Sequence, residues 1–128
     1  MNPLSLLAVA GGGALGSVAR YLVGIYAGRM LGTGFPWGTL FVNITGSFLI
    51  GALAESFALR WDAQPSTRIL LVTGICGGYT TFSAFSLEVV AMIQRGDAAM
   101  AALYVVLSVG LSIGALLLAL QVMRAVLA

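Results

Sequence analysis

The sequence predicts an all-α integral membrane protein: four transmembrane helices, the third broken mid-membrane, assembled as an antiparallel, dual-topology homodimer. Three observations predict the spans and the break, and the near balance of arginines across the membrane admits the antiparallel pairing. The 128 residues are 60% hydrophobic and only 8% charged, with a mean hydropathy of +1.06, whereas a soluble domain carries about a quarter charged residues. Charges and turn residues cut the chain into four apolar stretches. The third stretch holds three glycines, Gly74, Gly77 and Gly78, among hydroxyl residues, a composition that weakens a continuous helix.

The charge-free windows are 4–19, 30–54, 69–87 and 98–123. Each approaches or exceeds the roughly 20 residues that a helix needs to cross a bilayer. They predict one four-helix transmembrane domain over 1–128, with spans at about 4–26, 37–59, 68–94 and 98–124. The first carries Arg20 in its second half. Met1-Asn2-Pro3 lacks a basic leader region, and the apolar segment after it is long, so the first stretch is expected to stay as a span. The connections are short: 28–36, 60–67 and 95–97. No stretch alternates with period two, which argues against a β-barrel. Gly12/Gly16 and Gly110/Gly114 stand at the spacing that lets helix backbones approach closely.

An even number of spans puts both termini on one side. Arg60, Arg68 and Arg124 fall on that side, and Arg29 and Arg95 on the other, with Arg20 buried nearby. The positive-inside rule acts on an excess of Lys and Arg, and here there is almost none. Either the chain inserts both ways, so that opposed copies pair through an isologous interface, or one or two charges fix its orientation. The net charge of +2 is too small and scattered for nucleic acid. The single Cys76 excludes an internal disulfide and a cysteine-cluster metal site. No Walker loop, Ser/His/Asp set or paired acidic site is present, so neither catalysis nor energy coupling is expected.

Unwound backbone inside a membrane must find partners. At the third-span break, freed carbonyls suit a hard monovalent cation, and freed N–H groups suit an anion. The alternative is a continuous helix whose hydroxyls bond to their own i−4 carbonyls. Asn43, in the middle of the second span, can donate to an anion or can bond to a neighbouring helix. Phe82 and Phe85 share a helix face. They either pack or turn electropositive ring edges toward an anion. Thr81 and Ser83 add hydroxyls beside them. Tyr104, Ser108 and Ser112 recur every fourth residue of the last span, as a track of donors or as interhelical glue. Arg20 and Glu88 are the charges nearest membrane depth, where a charge is costly unless paired or hydrated. Arg20 can draw anions into a vestibule, anchor at the interface, or pair with Glu88.

Gly16-Ser17-Val18-Ala19-Arg20-Tyr21, Trp37-Gly38-Thr39-Leu40-Phe41-Val42-Asn43 and the run Gly77–Ser86 resemble the CrcB/Fluc fluoride channels, and the likeness extends over essentially the whole chain. The resemblance implies a dual-topology homodimer in a bacterial inner membrane with two pores. It implies Phe82 and Phe85 as pore-lining rings with Asn43 beside them. It implies backbone carbonyls of Gly77 and Thr80 on a central structural sodium ion, Tyr104, Ser108 and Ser112 as the polar track, and Arg20 near a vestibule. Two departures from the family pattern are Ala84, where a hydroxyl residue is expected, and Leu116, where the stripe of the last span loses its polar group. The implied activity is passive export of fluoride. Hydrogen fluoride crosses membranes neutral, ionises in a near-neutral cytoplasm and leaves the anion trapped inside. Two other readings stay open: a small dual-topology multidrug exporter, which needs a carboxylate inside the membrane, and a non-transporting membrane assembly subunit.

Overall fold

The computed structural model describes residues 2–128, and all regular secondary structure among them is helical. Helix α1 spans Pro3–Leu31, α2 Trp37–Leu59 and α6 Ala98–Leu127. Between α2 and α6 the third long element, Pro65–Gln94, is built from pieces. A single turn, α3 (Pro65–Arg68), runs into a π-helical stretch, Ile69–Cys76, and then into the turn α4 (Gly77–Tyr79). Thr80 and Thr81 are extended (φ −87°, ψ 158° and φ −152°, ψ 123°), and α5 (Phe82–Gln94) restarts the helix. The third element is therefore interrupted, and a continuous glycine-bearing helix is excluded.

The ends of the helices follow local chemistry. Asn2 caps α1 by accepting the Leu4 N–H at 3.0 Å, with Pro3 in the first turn. There proline's missing N–H costs nothing, because that group would be unpaired anyway. Gly32 (φ +80°) ends α1 and Gly96 (φ +84°) turns the chain from α5 to α6, both in the left-handed region that glycine enters without steric cost.

Four elements are long and apolar enough to cross a membrane, and only 11–22% of their most apolar windows is buried within the chain. Side chains such as Leu7, Leu15, Tyr21, Met30 and Val126 are exposed. A continuous apolar surface of this kind has no place in water, where a monomer rarely exposes more than a few hundred Å². This is a multi-pass membrane protein, and its greasy exterior faces the bilayer or another protein.

Glycine sets the packing of α1 against the π-helical stretch and α4. A Cβ on Gly12 would lie 2.6 Å from the Leu70 carbonyl oxygen, and one on Gly78 would lie 2.5 Å from that of Gly13. Gly51 does the same for α2 on α6, with the Leu116 oxygen 2.8 Å from a would-be Cβ. The paired glycines of the last span behave differently from the sequence expectation. A Cβ added at Gly110 or Gly114 would meet nothing within 4 Å among the described residues, so no described helix packs there. Leu40, Phe85, Met92, Ala101 and Tyr104 form the core cluster. Polar side chains gather at one end, where Arg124 bonds Glu55 at 3.0 Å and Arg60 donates to the Leu127 carbonyl at 2.7 Å.

Candidate functional site

The packing of α2 beside α6 lays two polar stripes side by side. Asn43 and Ser47 come from α2, and Ser108 and Ser112 from α6. The break, with Thr80 and Thr81, and the first turns of α5, with Phe82 and Phe85, close the third side. Together they line a groove of about 340 Å³, with Leu116 also on its lining.

Asn43 holds the break. Its Nδ2 donates to the Thr81 carbonyl at 3.0 Å, and the Thr81 N–H donates to its Oδ1 at 2.8 Å. The backbone donor fixes which amide atom is oxygen. The Thr81 hydroxyl accepts the Ala84 N–H at 3.1 Å and so caps α5. The N-terminus of a 13-residue helix, with its partial positive charge, is thus brought to the groove. The second Nδ2 hydrogen of Asn43 is not used by Thr81.

The serines carry the most informative chemistry. Thr45, Ser56, Thr80 and Ser86 each donate to their own i−4 carbonyl. Ser108 and Ser112 do not. Their Oγ atoms are buried without a partner in hydrogen-bond geometry among the described residues, the Ser108 hydroxyl lying near that of Tyr104. An unmade bond at a buried hydroxyl costs about 1–3 kcal/mol, and such groups in a native fold call for an explanation.

The phenylalanines differ from each other. Their ring centroids are 5.5 Å apart. Phe85 is 8% exposed and packs on Tyr104 at 5.1 Å, whereas Phe82 is 77% exposed. The rings therefore form one wall of a groove that stays open on its remaining side within a single chain.

Four sequence-predicted residues, Gly77, Ser83, Tyr104 and Arg20, do not line this groove. Ser83 is exposed, its hydroxyl 3.4 Å from that of Thr81. Tyr104 is fully buried and donates to Glu88 Oε1 at 3.0 Å, while Thr39 donates to Oε2 at 3.0 Å. Glu88 and Thr39 face a second cavity of about 260 Å³ beneath the loop between α1 and α2, with Arg95 on its lining. Arg20 does not pair with Glu88; its Nε donates to the Gly78 carbonyl at 3.1 Å. It lines a separate cavity with Tyr21, Gly24 and Thr39.

Sequence reasoning missed Ser47 and Thr39. Thr39, Asn43 and Ser47 stand at four-residue spacing on α2, the same signal that singled out Tyr104, Ser108 and Ser112. It was obscured by the apolar residues around it.

At Gly77 and Thr80 the helical bonding is diverted. The N–H four residues after Gly77 belongs to Thr81 and goes to Asn43; the one four residues after Thr80 belongs to Ala84 and goes to the Thr81 hydroxyl. The Thr80 carbonyl, on non-helical backbone, accepts no hydrogen bond among the described residues.

Fold and groove together define a four-span helical membrane protein whose interrupted third helix opens onto a polar cleft. Residues 7–120 match the family described as CrcB-like protein, Camphor Resistance (CrcB). Relatives include the Fluoride-specific ion channel FluC 1 of Nitrobacter hamburgensis, 60% identical over 119 residues, covering 93% of this chain and 94% of that one. The Fluoride-specific ion channel FluC of Nitrobacter winogradskyi is 60% identical over 121 residues (94% and 96%), and that of Rhizobium meliloti is 54% identical over 120 (94% and 96%). The chain belongs to the CrcB family.

Proposed function

We propose that this protein is a fluoride-selective passive channel that lets the anion leave the cytoplasm of a bacterium across the inner membrane. The observation that carries the reading is the pair of buried, unpartnered hydroxyls, Ser108 and Ser112, on a groove that also receives Asn43 and the N-terminus of α5. Every feature named offers a hydrogen-bond donor or a positive partial charge. Fluoride holds its water tightly, so a pore must replace that water step by step with donors. The names of the relatives support the same anion. The ring edges of Phe82 and Phe85 add weak electropositive contacts that a cation cannot use.

The channel works as an antiparallel homodimer. Phe82 stands 77% exposed beside a groove open on one side, and Gly110 and Gly114 present an uncovered small-residue face on α6. A second copy would supply the missing wall. The near balance of arginines between the two sides supports insertion in both orientations. The residues at the break fit a structural sodium ion. The Gly77 and Thr80 carbonyls flank the interruption, and that of Thr80, left without a donor, is the kind of hard oxygen ligand such an ion takes. Bound there, the ion would offset their partial negative charge.

A drug exporter working by proton exchange requires a free carboxylate within the membrane. Glu88 is already engaged by Thr39 and Tyr104, and the first span has no carboxylate. Purified protein in liposomes, followed with a fluoride electrode, tests the reading: rapid efflux without a proton gradient is expected. Vesicles that retain fluoride as well as protein-free ones refute it.

A further inference from the structure

The break is gripped from two helices at once. Asn43 of α2 binds its Thr81 side, and Arg20 of α1 binds its Gly78 side. Gly78 sits at the C-terminal end of the first half of the third element, where carbonyls lose their helical partners and carry partial negative charge. The N–H four residues on belongs to Phe82, the first residue of α5, beyond the extended Thr80 and Thr81. The Arg20 Nε–H takes that place at 3.1 Å. Arg20 has no carboxylate partner among the described ion pairs. It is absent from the groove lining. Gly16, one turn earlier on α1, seats this same stretch: a Cβ there would lie 2.7 Å from the Tyr79 nitrogen. The approach of α1 therefore fixes the distance that the Arg20 side chain has to bridge.

We infer that Arg20 is a positioning residue. It braces the end of the interrupted helix through the Gly78 carbonyl, and its contribution to conduction runs through that hydrogen bond rather than through attraction of anions by its charge. This inference rests on the channel reading above. The two roles differ physically. Attraction by a partly exposed charge is screened by salt and weakens over a Debye length of about 8 Å at physiological ionic strength. A hydrogen bond to a backbone carbonyl is insensitive to bulk salt.

Glutamine separates them. Its side-chain nitrogen lies as many bonds from Cα as the arginine Nε, so R20Q keeps a donor in reach of Gly78 and removes the charge, whereas R20M removes both. Fluoride efflux is measured for wild type, R20Q and R20M at low and high concentrations of an impermeant salt. The expected result is R20Q within about threefold of wild type and R20M slower by roughly tenfold, the scale of a lost charge-assisted bond, with both ratios unchanged by salt. Equal defects in R20Q and R20M that fade as salt rises overturn the inference. Amide hydrogen exchange across 77–82 in detergent gives a second measure that needs no fluoride transport. Faster exchange in R20M but not in R20Q supports the brace, and identical exchange in all three proteins overturns it. A wild type that conducts no fluoride sinks the channel reading alone and leaves the exchange measurement to decide the brace.

Discussion

Replacing Ser108 and Ser112 by alanine separates a conducting role from a packing role, because the two roles predict opposite signs of stability change. Both Oγ atoms are buried without a partner. An unsatisfied buried hydroxyl costs about 1–3 kcal/mol, so removing it breaks no bond within the chain. S108A and S112A are therefore expected to leave stability unchanged, or to raise it by about 1 kcal/mol each. Fluoride efflux should fall by roughly tenfold per hydroxyl, equivalent to about 1.4 kcal/mol on the barrier, because a dehydrating anion loses a donor. Were the serines interhelical glue, each change would cost about 0.6 kcal/mol, the average for such bonds in a membrane, and efflux would not change. Thermal melts in detergent and electrode-measured efflux from liposomes are run on the same preparations. S56A is the control, since Ser56 donates to the Ala52 carbonyl at 2.7 Å and lies outside the groove. Its efflux should match wild type. Loss of stability with wild-type efflux in S108A and S112A would refute the reasoning.

Three other outcomes are expected. N43D keeps an acceptor for the Thr81 N–H but sets a carboxylate against the Thr81 carbonyl, now 3.0 Å from a donor. It should abolish conduction and loosen the start of α5, and efflux at wild-type rate would show that the clamp is dispensable. F85I opens space in the core beside Tyr104 and should lower the melting temperature, whereas F82I, at a site 77% exposed in the single chain, should spare it. Both should cut efflux several-fold, and an unchanged rate in both would remove the ring-edge argument. Two lysines added to the connection 95–97 should fix the orientation of insertion. Such a chain should conduct only when co-expressed with an oppositely fixed copy, and full activity alone would contradict antiparallel pairing.

Particular residues show how far the sequence could be read. The apolar stretches, and the glycine- and hydroxyl-rich run around Thr80, were legible because length, composition and helix periodicity are local properties. Asn43, Phe82, Phe85, Ser108 and Ser112 could be nominated for the same reason: a polar or paired aromatic residue in a greasy helix stands out by itself. Their partners could not. That Asn43 uses both amide atoms on Thr81, that Tyr104 leaves its stripe to bond Glu88, and that Arg20 reaches Gly78 rather than Glu88 all depend on contacts 16 to 58 residues apart.

The sequence by itself determined the solvent, the number of membrane-crossing helices and the weakness in the third, because each follows from the transfer energy and backbone preferences of neighbouring residues. Only the tertiary structure decided which donors are spent inside the fold and which are left over. Whether a hydroxyl is satisfied depends on what the other helices bring within about 3 Å of it, and no count along the chain contains that distance. The hydroxyls of Ser108 and Ser112, buried without a partner among the described residues, are such leftovers.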